Sequence, residues 1–378
     1  MNIKTVLKSS VAAAALIAVA APSANAGAIN NGNKNSMTIS GNVARTMYHV
    51  DDGTHSQTFL TDGTTSRSRI RWVAKGTLNE NVTAGATIEM DVPLADGAAG
   101  SSSLTDNGEV VADTAWAIRH QYVWVAHKKL GTIKLGHTDS GGNGSAEKRF
   151  AKTSPIDNTS LQQFAGSTTF VDTTGGTPSR STVAVGVALT NFDGQSRDSV
   201  IRYDTPSFAG FGLAGSFSNT GTTEFALKYS GKFSSVSVSA AIAQSQTSAN
   251  STSVDGDTFG SIGLLHDSGF NVAAGYAERN FNSTVSSDRS DPNFMFFQVG
   301  YNAKIFGVGG TAFAITYQNN DDVVAENDDA TAIGVTAVQY FDAIGANVGV
   351  AYRNYDLDRT GKNYDSIDVF GLQAVVNF

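Results

Sequence analysis

The 378-residue chain contains no cysteine. That excludes disulfides and thiolate metal sites, and it permits passage through an oxidising compartment without mispairing. Proline is scarce too, at 6 residues. Pro22 lies in the leader, Pro93 at a strand end, and Pro155, Pro178, Pro206 and Pro292 in connections, so no strand interior loses an N–H from its ladder. Charge is thin, at 16% of residues. Leaving Lys4 and Lys8 aside, 24 of the 26 basic side chains stand against 34 acidic ones, a formal charge of minus 10. This argues against a nucleic-acid partner. Past the leader no apolar run reaches the roughly 18 residues of a transmembrane helix. A membrane-crossing role would therefore need a closed β-barrel, the other structure that satisfies every backbone group in lipid.

Residues 1–26 read as a targeting segment. Lys4 and Lys8 form a basic start, Val11 to Ala21 an apolar stretch, and Ala24-Asn25-Ala26 a small-residue cleavage site, so the mature chain is expected to begin at Gly27. From there the chain alternates with period two. Val236, Val238, Ala240 and Ile242 oppose Ser235, Ser237 and Ser239, and Phe313, Ile315 and Tyr317 oppose Ala314, Thr316 and Gln318. Sixteen strands are predicted, near 37–49, 65–76, 81–92, 114–127, 130–137, 197–205, 210–218, 222–231, 234–246, 256–266, 269–280, 292–302, 308–319, 329–341, 344–355 and 366–378. Alternation alone does not separate a barrel from a soluble sandwich or a secreted, surface-bound adhesin. The connections do, because they mostly alternate long and short, as outer-membrane barrels do. Aromatics gather beside the short turns (Phe208 and Phe211, Phe233, Phe270, Tyr301 and Phe306, Tyr340 and Phe341), as an interfacial girdle would.

With strands placed, several runs resemble the general trimeric porins of Gram-negative outer membranes. They are Ser68 to Gly76, Arg119 to Val125, Gly131 to Gly136 and, most specifically, Asp198-Ser199-Val200-Ile201-Arg202-Tyr203-Asp204-Thr205-Pro206-Ser207-Phe208-Ala209-Gly210-Phe211. The last strand ends on Phe378, with Val376, Ala374, Leu372 and Phe370 on its face. The resemblance implies an all-β transmembrane antiparallel barrel of 16 strands over residues 27–378. It implies a homotrimer in outer-membrane lipid and lipopolysaccharide that passes ions and small hydrophilic solutes, and a terminal Phe378 read by the barrel assembly machinery. Arg45 departs from the pattern, since it falls on the lipid parity of the first strand and calls for a bulge there or an end near the headgroups.

Residues 138–196 form an insert too long and too rich in Gly, Ser, Thr and Pro to be one regular element. It is expected to fold into the lumen as a constriction loop, with Gly141 to Gly144 as a hinge. Thr182 to Leu189 and Leu161 to Val171 alternate enough to be strands. Counting both gives 18, the number of substrate-specific porins and the alternative architecture. Solutes cross such a channel without chemistry, so selectivity rests on the narrowest point. Parity turns Arg69, Arg71, Arg119, Lys134 and Arg202 inward, and the resemblance carries the porin basic wall onto Arg71, Arg119 and Arg202. Glu89 and Asp91, also inward, would neutralise part of that wall. Opposing acids would come from Glu147, Asp157, Asp172 and Asp193. An enzymatic reading has little to stand on: His49, His55, His120, His127, His137 and His266 show no metal-ligand spacing, and His120 has outward parity. No cofactor is expected. The acidic run Asp321, Asp322, Glu326, Asp328, Asp329 has the chemistry for divalent cations bridging lipopolysaccharide, or is a solvated loop.

Overall fold

The computed structural model describes residues 29–30, 35–63, 65, 67–93, 116–248, 251, 253–282 and 290–378; the leader lies outside the described residues. Sixteen staves close into an antiparallel barrel: β1 (Ser36–Asp51), β2 (Arg69–Thr77), β3 (Val82–Asp91), β4 (Ala117–His127), β5 (Gly131–Asp139), β6 (Arg197–Asp204), β7 (Phe211–Ser218) and β8 (Thr223–Phe233). They continue as β9 (Val236–Gln246), β10 (Val254–His266), β11 (Phe270–Phe281), β12 (Asn293–Phe306), β13 (Gly309–Asp321), β14 (Asp328–Phe341), β15 (Ala346–Arg359) and β16 (Ile367–Asn377). Each pairs with its neighbour, and β16 pairs with β1 to close the sheet. Alternation dictates the faces. Ala241, Ala243 and Ser245 of β9 are buried inside, while Ile242 stands 57% exposed outside.

The second stave differs from expectation. The long loop expected over residues 50–64 contains a strand, Ser56–Thr61, paired with the last residues of β1, Thr46–Asp51. The first residues, Ser36–Asn42, pair with β2. The stave is thus broken at 62–68, where Asp62 accepts hydrogen bonds from Ser68 and Gly63. The small polar residues of this stretch hid the strand; what identifies it is Phe59, stacked on Tyr48 at 5.1 Å between ring centroids. No bulge in β1 relieves Arg45, because the register with β16 is continuous from Asn42 to Asp51.

The insert, residues 140–196, adds no stave, and the 18-strand alternative is overturned. Leu161–Gln163 is a single 3-10 turn. Thr169–Asp172 and Ser179–Ala184 form a separate small sheet with Tyr364–Asp365, and Val185–Ala188 is one helical turn. The alternation in 182–189 arises because one side of this segment packs into a core: Val183, Val185, Ala188 and Leu189 are buried with Ile156, Leu161, Phe164 and Phe170 against Tyr48, Tyr355 and Val369 of the wall.

Candidate functional site

The insert lies inside the barrel because its polar backbone finds partners on inward side chains of strands far apart in sequence. The Gly141 N–H donates to Ser216 Oγ at 2.8 Å and Gly142 N–H to Glu224 Oε2 at 2.7 Å. Further on, Lys148 N–H reaches Ser261, Lys152 N–H reaches Asn302, and Leu161 N–H reaches Gln318. The Tyr355 hydroxyl donates to the carbonyls of Leu161 and Phe164, and Gln373 to Pro155 O. The path runs round the inner wall from β7 to β16. Inward glycines let it lie close. A Cβ on Gly263 would stand 2.8 Å from Arg149 Cα, and one on Gly349 would stand 2.7 Å from Ile156 Cγ2.

Gly141 to Gly144 is a clamp and not the expected hinge. Besides the two bonds above, Asp193 accepts from the backbone N–H of Gly144 and, at 2.7 Å, of Ala146. Burial of this carboxylate, with Glu147 close by, raises its pKa to about 7. Burial also lowers the Lys148 ammonium beside it.

Among the described residues, no hydrogen bond or ion pair of the insert reaches β2, β3 or β4. On that uncovered arc stand three arginines around one buried carboxylate. Glu89 is 0% exposed. It takes Arg69 Nη1 at 3.3 Å, Arg119 Nε at 3.0 Å, and Arg71. Asp91 takes Arg119 Nη1 at 3.2 Å. The arginines are held in place yet keep a wet edge, with 46% of the Arg71 side chain exposed inside the barrel. Arg119 reaches the lumen through a bulge: the register shifts between Glu89 and Met90, so that His120 pairs with Glu89 and Ile118 with Met90. The same bulge corrects the outward parity expected for His120, which is buried and bonded to Thr138 Oγ1 at 3.1 Å.

The remaining predicted side chains are scattered. Lys134 pairs with Asp204 at 3.3 Å. Arg202 pairs with Asp204 at 2.7 Å and donates to the carbonyls of Asp139 and Ser140, fixing the root of the insert. Of the four acids, Glu147 is half-buried and accepts from Asn191 at 3.0 Å. Asp157 is buried in an ion pair with Arg353 at 2.7 Å. Asp193 is the clamp. Asp172 lies on the small sheet, paired with Lys362 at 2.6 Å, and the hydrogen bonds from Lys362 and Thr174 hold it at about 2. Arg353 and Glu224 were missed as anchors; each is a charge at inward parity, Glu224 in one row with Lys228 and Lys232 and Arg353 in one row with Arg359, and that parity was the available signal. Tyr340, expected in the outer girdle, turns inward and donates to Lys152 O at 2.8 Å. In the acidic run, Asp328 is paired with Arg359 at 2.6 Å and Glu326 accepts from Ser290. Among the described residues no three acidic or histidine side chains converge on a metal position.

The family model described as Gram-negative porin matches residues 12–375. Solved structures share the fold at low identity. An anion-selective porin from Comamonas acidovorans is 16% identical, with a TM-score of 0.59 over 91% of this chain and 100% of that one. The in-vitro folded outer membrane protein OmpT of Vibrio cholerae is 13% identical, with a TM-score of 0.58 over 93% and 99%. The outer membrane channel DcaP of Acinetobacter baumannii is 15% identical, with a TM-score of 0.58 over 93% and 99%. No curated protein matches the chain.

Proposed function

Because the match over residues 12–375 shows that the chain belongs to the Gram-negative porin family, and so is a passive diffusion channel of the outer membrane, we propose that its pore runs along the uncovered β2–β4 wall and favours anions. The observation that carries this is the imbalance of fixed charge. Arg69, Arg71 and Arg119 on this wall face Glu89 and Asp91, and Lys134 and Arg202 on the adjoining β5 and β6 face Asp204, so cations outnumber carboxylates. Of the insert's four acids, Asp157, Asp172 and Asp193 are each bound elsewhere, and Glu147 is held by Asn158 and Asn191 beside the Lys148 ammonium. A water-filled slot with low-dielectric walls focuses such a field. The arginines position and slow small anions without binding them tightly, as conduction requires.

A homotrimer is part of this reading, supported by the family and by the fold shared with the trimer form of Vibrio cholerae OmpT. The test is purified protein in a planar bilayer under a KCl gradient. Stepwise conductance with a zero-current potential of anionic sign is expected. A silent bilayer would overturn the channel, and a cationic sign would overturn the route along this wall.

A further inference from the structure

Away from the β2–β4 wall, on the side of the insert nearer the short turns, a second group of cations gathers in the lumen. β5 and β6 bring Lys134 and Arg202 to directly opposed positions. Asp204 lies beside both, taking Lys134 Nζ at 3.3 Å and Arg202 Nη2 at 2.7 Å. Lys228 of β8 and Lys148 of the insert complete the group, Lys228 standing within electrostatic reach of Arg202, Lys134, Lys148 and Asp204. Neither the Lys148 nor the Lys228 ammonium has a hydrogen bond or an ion pair among the described residues.

Packing and register place these two lysines. Ala146 of the insert is buried in one cluster with Ala214 and Ala226, and Lys148 N–H donates to Ser261 Oγ at 2.7 Å. Lys228 is the next inward residue after Ala226 toward the short turn. The wall beside it is bare. Its partner in register on β7 is Gly212, where an added Cβ would meet nothing within 4 Å, and its partner on β9 is Ala241. The following inward pair is Ser230 opposite Ser239, two hydroxyls with no hydrogen bond among the described residues. Carboxylates are near as well. Glu147 and Asp193 flank the Lys148 ammonium, the first held by Asn158 and Asn191 and the second by backbone N–H groups. On the Lys228 side Asp204 is already shared by Lys134 and Arg202.

We propose that this recess is a subsite for phosphate, free or as a small monoester, held by Lys148 and Lys228 with Ser230 and Ser239 as hydroxyl donors. It rests on the anion-favouring pore proposed above and adds the class of solute that dwells in it. Chloride takes only the field of the cluster. A tetrahedral oxyanion accepts hydrogen bonds from both ammonium groups and from the hydroxyls at once, and such charge-assisted bonds are the stronger kind. Lys134 and Arg202 contribute through charge, because Asp204 engages them.

The test is chloride conductance through single channels in planar bilayers, at fixed ionic strength and neutral pH, with inorganic phosphate added in steps. The parent is expected to lose chloride current in a saturable way. Lys148→Gln with Lys228→Gln should raise the half-blocking concentration about tenfold or more, while Lys228→Arg, which keeps the charge, stays near the parent. Lys232→Gln removes the same charge from the same strand, but that ammonium is paired with Asp267 at 2.6 Å, and its block should equal the parent's. Heat-dependent gel mobility checks the barrel in each variant. Block that does not saturate, that is unchanged in the double variant, or that weakens as much in Lys232→Gln overturns the subsite. Equal block by succinate, whose two charges are held apart, overturns the preference for a compact anion. Glycerol phosphate separates the two sources: block by it as well as by phosphate assigns the recess to monoesters too, and block by phosphate alone assigns it to the free ion. The zero-current potential in KCl separates this inference from the reading it rests on. An anionic sign without phosphate block removes the subsite and leaves the anion-favouring wall standing; a cationic sign with saturable, Lys228-dependent block does the reverse.

Discussion

Two arginines of this barrel illustrate how surroundings assign different work to one side chain. Arg353 is 1% exposed and locked to Asp157; Arg71 shares Glu89 with two other arginines and keeps nearly half its surface in water. The second kind should control ion choice. Arg71→Ser with Arg119→Ser is expected to move the zero-current potential toward cations. Neutralising Asp329 and Asp358, exposed carboxylates near the long loops, should move it less and in the opposite direction, because salt screens them over about 8 Å whereas a permeating ion passes within that distance of the arginines. Equal shifts from the two pairs would place the constriction elsewhere. Asp193 gives a prediction in pH. Its folded pKa of about 7 exceeds the roughly 3.9 of a free aspartate. The folded state therefore binds the extra proton between these values, and the stability linked to it is present below about pH 4 and lost as pH rises through 7. The limit is on the order of 4 kcal/mol. Heat-dependent gel mobility followed from pH 4 to 8 should show this decline in the parent protein and much less of it in Asp193→Asn.

Among elements, the insert is tied to the wall most firmly at the buried Asp157–Arg353 pair. Removing one partner strands a charge, which typically costs about 3–5 kcal/mol. Asp157→Ala should therefore make residues around 150–165 a protease target and add noise to the open-channel current. Replacing the pair by Asp157→Leu and Arg353→Met should recover much of the loss. If Asp157→Ala is as resistant as the parent, the insert is held by its other contacts. The staves themselves were legible because each buries one face and wets or greases the other, and alternation reports that directly. Three things were not. Ser56–Thr61 is rich in hydroxyls and its defining contact, Phe59 on Tyr48, is tertiary. The insert's hairpin alternates for the same reason a stave does, since one side packs on a core, so parity could not say that the core lay inside the lumen. The bulge that turns both Arg119 and His120 inward shifts parity by one residue without leaving a glycine or proline as a marker. At the site, inward parity was readable for Arg69, Arg71 and Arg202, whereas Arg119 points inward by virtue of the bulge and the engagement of Asp157 by Arg353 depends on which distant strands the insert meets.

The whole molecule is a closed sheet whose seam is visible in single bonds: Gly41 N–H donates to Phe378 O at 2.8 Å and Phe378 N–H to Gly41 O at 3.0 Å. There is no room for a side chain at residue 41, since an added Cβ would collide with the Arg69 carbonyl oxygen on one side and lie 2.8 Å from the Phe378 ring on the other. Deleting Phe378 or introducing Gly41→Val should lower the amount of heat-modifiable trimer in membranes, with Gly41→Ala intermediate. Undiminished yield from the deletion would show that neither the seam nor a terminal recognition signal depends on this ring. The seam also sets the timing of assembly. Every other pairing between described staves joins neighbours in sequence, whereas this one joins the first stave to the last, so the ring cannot shut until all the other staves are in register. Until that moment the growing sheet carries two raw edges, each a row of unpaired donors and acceptors open to any passing strand. The most hazardous period in the life of the chain is therefore the interval before closure.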